Sequence, residues 1–153
     1  MEIFTGYISS PIGTIEVVCN DKCVLSVDFV ETIKNNTLEN DYLRNVLTQL
    51  EQYFLGARKS FDINIHFEGT EFQKKVWNEL TKIPYGTVIS YKELANRIGN
   101  PKSMRAVGNA NRNNKISIIV PCHRVIGASG KLIGYAGGLD RKKWLLEHEQ
   151  KNR

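Results

Sequence analysis

The first thirty residues alternate between apolar and polar positions and are broken by turn residues. The alternating runs cover 3–10, 14–20 and 23–30, and the breaks fall at Pro11 to Gly13 and at Asn20 to Asp21. Alternation with a period of two, separated by short turns, is typical of an antiparallel meander. The sequence therefore predicts a three-stranded antiparallel sheet at the start of the chain.

Apolar residues then recur at helical spacing. Leu43, Leu47, Leu50 and Phe54 lie three or four positions apart before Gly56, which predicts a helix that covers the sheet. In 61–67 the alternation returns, and it predicts a half-buried fourth strand.

The second half of the chain has the pattern of short helices. Thr70 to Gln73 and Ser90 to Glu93 are capping boxes, and the helices that they start are expected to end near Ile83 and at Gly99. A further helix follows directly, beginning at Asn100-Pro101. Two short helices joined by a tight turn that contains glycine are typical of a helix-turn-helix.

The second of these helices is unusually slim. Within 103–114 the residues Ala106, Gly108 and Ala110 are small, and Arg105 is the long cationic side chain near the start. Such a helix fits a narrow space outside the protein, or it packs closely on a neighbouring helix. The pattern by itself leaves both interpretations open.

Net charge divides the chain into two different halves. The 153 residues have a formal net charge of +5, but residues 1–70 carry 5 basic and 10 acidic side chains, which leaves 16 basic and 6 acidic for the rest. The length fits one ordinary domain or two small ones, and an apolar fraction of 41% is enough for a core. We predict an α+β protein with domains at 1–68 and 69–153.

The cysteines and the chain start bear on the compartment. No run approaches the roughly 20 apolar residues of a membrane span, and the N-terminus is acidic where a signal peptide is basic. Three cysteines are few and odd in number, unlike the dense, even set of a disulfide scaffold, so reduced thiols and a cytoplasmic protein are expected. Cys19 and Cys23 have no nearby histidine and are interpreted as core or strand residues, so no metal site is expected.

The candidate chemistry lies in the segment 116–127, which reads ISIIVPCHRVIG. A thiolate is the nucleophile, and a free cysteine has a pKa of about 8.5, so Cys122 needs a neighbouring base or cation. His123 and Arg124 are candidates. In an extended segment Cys122 and His123 would point to opposite sides, unless Pro121 breaks the geometry. The alternative is that Cys122 is a small buried side chain at the end of a strand.

A third group is needed to orient the imidazole. The segment 139–150 is predicted to be a helix with Asp140 as its N-cap, and it offers Glu147 and Glu149. Either carboxylate is a candidate partner of His123, and either is equally consistent with a solvated helix face. His66 and His148 are interpreted as structural.

The segment PCHRV at 121–125, with Asn114 before it and Gly134-Tyr135 and Gly137-Gly138 after it, resembles the O6-alkylguanine-DNA alkyltransferases. These are also called methylated-DNA:protein-cysteine methyltransferases. The resemblance extends over nearly all of 70–150, including IPYGTVISYKELANRIGNPKSMRAVGNANRNN and WLLEHE. It implies a small ribonuclease-H-like N-terminal domain, followed by a winged-helix-like domain that contains the helix-turn-helix.

The resemblance also implies a reaction. Cys122 would take a methyl or other alkyl group irreversibly from O6 of guanine, and also from O4-methylthymine, so that each molecule acts once. His123 would act through a water as the base, Glu149 rather than Glu147 would hold His123, and Asn114 would brace the turn before the cysteine. No cofactor is implied.

The same resemblance assigns residues to the substrate. Tyr91 would donate to the guanine ring, Tyr135 would form a wall of the base pocket, and Lys142 would lie near the guanine. Ala136 stands where some members have a hydroxyl side chain that contacts the guanine oxygen, so only a backbone N–H is expected there.

Duplex DNA that contains alkylated guanine is the expected partner. The target base would have to be rotated out of the stack, and Arg105 would fill the space left behind. Small residues such as Ala106 and Gly108 would let the helix enter the minor groove, and cations such as Arg112 would bind phosphates. A monomer with no membrane contact is expected.

Two other functions are compatible with parts of the pattern. A DNA-binding module without chemistry would share the helix-turn-helix, although relatives that only mark lesions lack the cysteine of PCHR. A cysteine hydrolase would share Cys122 and His123, and it would turn over many times where an alkyl acceptor reacts once.

Overall fold

The computed structural model describes residues 2–153 and divides the chain into two compact units. The first consists of the residues up to Phe67 together with Lys115–Ile119, and the second consists of Glu68–Asn114 and Val120–Arg153. The segment Lys115–Ile119 therefore belongs to the first unit, although it lies far along the chain.

The first unit contains an antiparallel sheet covered by one helix. Its strands β1 (Phe4–Ser10), β2 (Gly13–Cys19) and β3 (Val24–Val30) pair in the order β1-β2-β3, and α1 spans Asp41–Phe54. The predicted α+β class and the three-stranded antiparallel sheet are confirmed.

One face of this sheet is buried because the alternating apolar positions share it. Ile15, Val17 and Val27 are within 1% of complete burial, as are Leu43 and Leu50 of α1. The helix lies close to the sheet at Gly6, where an added Cβ would come within 2.9 Å of Leu47 Cδ1. A larger residue at position 6 would therefore require the Leu47 and Leu43 side chains to shift.

The free edge of β3 is covered by short extended segments rather than by a fourth strand. Val24 makes a single parallel bridge with Ile65, and Val27 makes one with Ile116. The prediction of a strand over 61–67 is therefore wrong beyond one residue, although its burial does alternate. Side chains of α1 bind this segment instead: the Tyr42 hydroxyl donates to Asn64 O, and the Gln49 amide donates to Asp62 O.

The second unit is mostly helical. Its helices are α2 (Glu71–Leu80), α3 (Tyr91–Arg97), α4 (Met104–Arg112) and α5 (Leu139–Lys151). Two-residue strands β4 (Ile89–Ser90) and β5 (Val125–Ile126) pair in parallel, and single 3₁₀ turns cover Cys122–Arg124 and Ala128–Gly130.

The capping signals place most helix starts but not all the ends. The box at Thr70 is complete, and α2 ends at Leu80 rather than near Ile83. At Ser90 the side chain accepts from the Glu93 N–H, while the Glu93 carboxylate pairs with Arg97. The helix after the turn begins at Met104, not at Asn100.

Three further observations concern the sequence expectations. Cys19, Cys23 and Cys122 carry free thiols. Within residues 2–153, no helix is both long enough and apolar enough to span a bilayer. The same residues contain no group of three His, Cys, Asp or Glu side chains arranged to hold a metal ion.

The start of α5 corrects one prediction. Asp140 was expected to be the N-cap, but the N-cap is Gly138 and Asp140 lies in the first turn. Gly138 has φ 97° and ψ 149°, a backbone conformation that is open almost only to glycine. The backbone of Gly138, rather than a capping side chain, therefore sets where α5 begins.

Replacing Gly138 should destabilise the protein more than replacing Asp140. Gly138→Ala adds a Cβ that has open space around it, so the cost is backbone strain, about 1–3 kcal/mol. Asp140→Ala loses only an interaction with the helix dipole, about 0.3–1 kcal/mol. Urea denaturation of both variants measures the two losses, and a larger loss for Asp140→Ala would contradict this account of the helix start.

Candidate active site

The reactive segment turns sharply instead of continuing as a strand. The Cys122 N–H donates to Val120 O at 2.8 Å across Pro121, whose φ of −82° and ψ of 63° are those of an inverse γ-turn. Residues Cys122–Arg124 then form one 3₁₀ turn, closed by the Arg124 N–H on Pro121 O. Cys122 is buried, as one alternative has it, but it does not end a strand, because the ring of Pro121 fixes φ at a turn. Successive side chains of a 3₁₀ turn point about 120° apart, so Cys122 and His123 are not on opposite sides.

Cys122 lies at the centre of the site and is only 4% exposed. Asn114 Nδ2 lies 3.2 Å from its Sγ and donates to Val120 O at 2.9 Å. Burial raises the pKa of Cys122 to about 11, although the Asn114 bond and the charge of Lys142 oppose the shift. At neutral pH the group is therefore a thiol that needs a base before it can attack.

His123 is fully buried and lies against Glu149. Its Nε2 is 2.7 Å from Glu149 Oε2. Burial lowers the pKa of His123, despite the neighbouring carboxylate, so the ring is neutral at pH 7. An ionised carboxylate can only accept, so Nε2 carries the proton and donates it to Glu149. Nδ1 then holds a free lone pair, and it has no hydrogen-bond partner among the described residues.

Glu149 remains ionised because Arg124 forms a bidentate ion pair with its carboxylate. Arg124 Nε lies 2.8 Å from Oε1 and Nη2 lies 3.0 Å from Oε2, while Nη1 donates to Ile83 O at 2.6 Å. The Gly86 N–H donates to Oε1 at 3.3 Å. Burial alone would raise the pKa of Glu149, but the charges and hydrogen bonds of His123 and Arg124 outweigh it and hold the pKa well below its usual range.

The pairing of Arg124 is not apparent from the sequence. Its position close to Cys122 suggests a cation for the thiol, whereas the guanidinium is directed to Glu149. Glu147, the other carboxylate considered, is exposed and faces Lys143 at 4.0 Å. The sequence does not reveal the 3₁₀ turn, which directs the adjacent His123 and Arg124 to the same carboxylate.

Lys142 and Tyr91 meet at one backbone carbonyl. The fully buried Lys142 Nζ donates to Val125 O at 2.5 Å and to Ile133 O at 2.8 Å, and the Tyr91 hydroxyl donates to Ile133 O at 2.9 Å. Burial lowers the pKa of Lys142 to about 8, although Cys122 opposes the shift. At pH 7 the amine is therefore still mostly protonated, and the site holds a buried ammonium group.

Gly134 is required beside this carbonyl. Its φ is 71°, and an added Cβ would lie 2.8 Å from the Tyr91 hydroxyl oxygen. Both the left-handed backbone and the close approach exclude a larger residue there.

Two further contacts join α4 to the reactive turn. The buried Asn111 donates from Nδ2 to Cys122 O at 3.2 Å, and Trp77 Nε1 donates to Ala110 O at 2.8 Å. Asn111 is not among the residues predicted from the sequence, and its one signal there is an amide side chain on the buried face of the predicted helix. The last turn of α4 and the carbonyl of Cys122 are therefore fixed to each other.

A groove of about 900 Å³ lies along the outer side of α4. The small residues divide between two roles: Ala110 is buried and packs, whereas Ala106 and Gly108 line the groove. A Cβ at Gly108 would meet Tyr91 at 3.7 Å, an ordinary contact, so packing on a neighbouring helix does not require glycine there. The residues that line the groove are Tyr91, Lys102, Ser103, Met104, Arg105, Ala106, Gly108, Asn109, Arg112, Ile133 and Gly134.

The predicted site residues therefore fall into three groups. Cys122, His123, Glu149, Asn114 and Lys142 are all buried and form one cluster. Tyr91 connects this cluster to the groove, where Arg105 and Arg112 lie. Outside the groove lining are Tyr135, which is buried, and Ala136, which is exposed.

Comparisons with known proteins cover nearly the whole chain. Residues 71–151 match the 6-O-methylguanine DNA methyltransferase DNA-binding domain, and residues 3–67 match the ribonuclease-like domain of the same family. The methylated-DNA--protein-cysteine methyltransferase of Methanosarcina acetivorans is 49% identical, covering 96% of this chain and 98% of the relative.

Solved structures agree with the sequence relatives. The Mycobacterium tuberculosis O6-methylguanine methyltransferase has a TM-score of 0.89 at 41% identity, covering 99% of this chain and 94% of that one. The same organism's OGT in complex with DNA has a TM-score of 0.88 at 43% identity, with the same coverage.

Removing the Arg124 side chain should strongly destabilise the protein. Arg124→Ala leaves the Glu149 carboxylate buried without its cation, which is expected to cost about 3–5 kcal/mol in the free energy of unfolding at pH 7. The matched control is Lys143→Ala, which removes a partner of the exposed Glu147 and should cost less than about 1 kcal/mol.

Urea denaturation at pH 7 measures both losses. In a Glu149→Gln background the same Arg124→Ala change should cost clearly less, because no carboxylate is left unpaired. An equal cost in the two backgrounds would mean that Arg124 does not act through Glu149.

Proposed function

Because the chain belongs to the 6-O-methylguanine DNA methyltransferase family, we propose that it repairs DNA by moving an alkyl group from O6 of guanine to its own Cys122. O4-methylthymine is a second substrate of the same reaction. The observation that carries the proposal is the buried cluster of Cys122 and Asn114 with the His123–Glu149 hydrogen bond and the Arg124–Glu149 ion pair, beside a basic groove.

The chemistry follows from the protonation states. With a pKa of about 11, Cys122 is on the order of one part in ten thousand thiolate at pH 7, so a base must take the proton as the attack proceeds. His123 Nδ1 is that base and receives the proton through a bridging water. Glu149 stabilises the imidazolium that forms, and Arg124 keeps Glu149 ionised.

The displacement is irreversible. The Sγ electron pair forms a bond to the alkyl carbon, the bond from that carbon to O6 breaks, and its electron pair remains on the guanine. The thioether on Cys122 has no route back to a thiol, so each molecule acts once. Asn114 fixes Sγ and the turn behind it for an in-line attack.

The leaving base is stabilised by a hydrogen-bond donor, since negative charge builds up on the guanine ring. The Tyr91 hydroxyl is this donor. It releases its hydrogen bond to Ile133 O and donates to the base instead. That exchange leaves the carbonyl satisfied because Lys142 Nζ also binds it. Lys142 also lies near the guanine. Tyr135 forms a wall of the base pocket, and the backbone N–H at Ala136 takes the place of a hydroxyl donor.

Access to the damaged base requires rotation out of the duplex, at a cost of a few kcal/mol. Arg105 is exposed on the groove and fills the space that the base leaves. Ala106 and Gly108 allow the backbone of α4 to approach the minor groove, and Arg112 binds phosphate. Domain 69–153 thus carries the DNA face and the reactive residue, while domain 1–68 is an acidic scaffold. The protein acts as a monomer in the cytoplasm, where its thiols stay reduced.

Labelled DNA tests the acceptor directly. Duplex DNA with a radiolabelled methyl group on guanine O6 should transfer one label per protein molecule, and peptide mapping should locate it at Cys122. Cys122→Ser should bind the duplex and accept no label, while Cys23→Ser should react as the parent does. Label on the Cys122→Ser protein would disprove the assignment, and repeated turnover on an acyl substrate would favour the hydrolase.

Arg105 should matter for duplex DNA and much less for a free base. Arg105→Ala is expected to slow transfer from a duplex by about a hundredfold, since extrusion costs a few kcal/mol. Transfer from free O6-methylguanine should change little. Single-turnover rates on the two substrates measure this, and equal losses would mean that Arg105 does not serve extrusion.

A further inference from the structure

Met104 is a large apolar side chain that is left exposed in a basic groove. It is 48% exposed, and it lines the groove next to Arg105 at the start of α4. Lys102 and Arg112 line the same groove, and no acidic side chain does so among the described residues. An exposed methionine alone needs no explanation, but one surrounded by three cations calls for a ligand that is both anionic and apolar.

The spacing along α4 leaves the Met104 side chain uncovered. Gly108 and Arg112 follow Met104 at intervals of four and therefore share its face of the helix. Because Gly108 has no side chain, position 108 contributes nothing that could pack over Met104, and Met104 is left 48% exposed. The side chain is therefore available to whatever enters the groove.

Nucleic acid combines the two required properties, because phosphates border the flat apolar faces of the bases. Apolar side chains, methionine among them, insert between base steps from the minor groove and unstack them. Methionine suits such a place because it is unbranched and adapts to irregular spaces. Charge complementarity with the three cations favours DNA over an apolar protein partner as the occupant of this groove.

We propose that Met104 is a second side chain that inserts into the DNA and packs on the base step beside the one that Arg105 enters. This inference rests on the proposed function. Arg105 replaces the extruded base, and Met104 separates the bases of the adjoining step and packs on the base faces that this separation uncovers. The two adjacent residues thus divide the stabilisation of the opened duplex between them.

The test compares Met104→Ala with Met104→Leu and with Val88→Ala. Val88 is 43% exposed in the same unit and lies outside the groove, so it controls for the loss of an exposed apolar side chain. Single-turnover transfer from duplex DNA should fall about tenfold in Met104→Ala, the order expected for the loss of a half-buried methionine. It should recover in Met104→Leu, and it should stay within twofold of the parent in Val88→Ala.

A fluorescent base reports insertion directly. With 2-aminopurine placed in the step that Met104 enters, one position away from the base next to the lesion, and with transfer blocked by Cys122→Ser, binding should increase the fluorescence as that step unstacks. The added Met104→Ala change should remove most of that increase at saturating protein.

The outcomes separate this proposal from the proposed function. If the parent protein transfers no label from duplex DNA, the function itself fails. If the parent transfers label and Met104→Ala reacts equally fast with the duplex, the insertion of Met104 is disproved. An equal loss on duplex and on free O6-methylguanine also overturns it, because Met104 would then support the base pocket rather than the DNA.

Discussion

A buried carboxylate must be paired or protonated, and Glu149 meets this requirement by binding His123 and Arg124 at once. The bidentate guanidinium keeps the carboxylate ionised, and the ionised carboxylate in turn fixes the tautomer of His123. The Gly86 N–H and the carbonyl of Ile83 attach the same cluster to the loop after α2. One ion pair thereby decides the protonation of the base and holds three distant parts of the chain together.

Hydrogen bonds to backbone carbonyls hold the reactive turn in place. The donors are side chains of α4 and of Asn114, which follows α4 closely. Asn111 binds the carbonyl of Cys122 and Asn114 binds that of Val120, while Trp77 holds the carbonyl of Ala110. Each bond lies in a dry interior, where an unsatisfied polar group would cost about 1–3 kcal/mol. These hydrogen bonds therefore fix the position of the turn that carries the thiol relative to α4, the helix that lines the groove.

Electrostatics separate the surface of the site from its interior. The groove presents cations next to an exposed methionine, a combination suited to a charged polymer with flat apolar bases. Inside, burial keeps Cys122 protonated and His123 neutral, and it brings Lys142 towards its neutral form. The exposed charge thus lies where DNA would be bound. Inside, it is confined to the Arg124–Glu149 pair and Lys142, and Cys122 and His123 become charged only while the proton moves.

The sequence by itself determined the elements whose signals are local. Alternation gave the three-stranded sheet, capping residues gave the helix starts at Thr70 and Ser90, and the motif around Cys122 indicated the family. The tertiary structure alone decided that 61–67 is not a strand, that α5 begins after Gly138 and that Arg124 pairs with Glu149. The first depends on side chains of α1 that hydrogen-bond to the backbone of the segment, and the second on the positive φ of Gly138. The third depends on a 3₁₀ turn that directs His123 and Arg124 to the same carboxylate. Such contacts join residues far apart in the chain, so no periodicity or spacing within a segment encodes them.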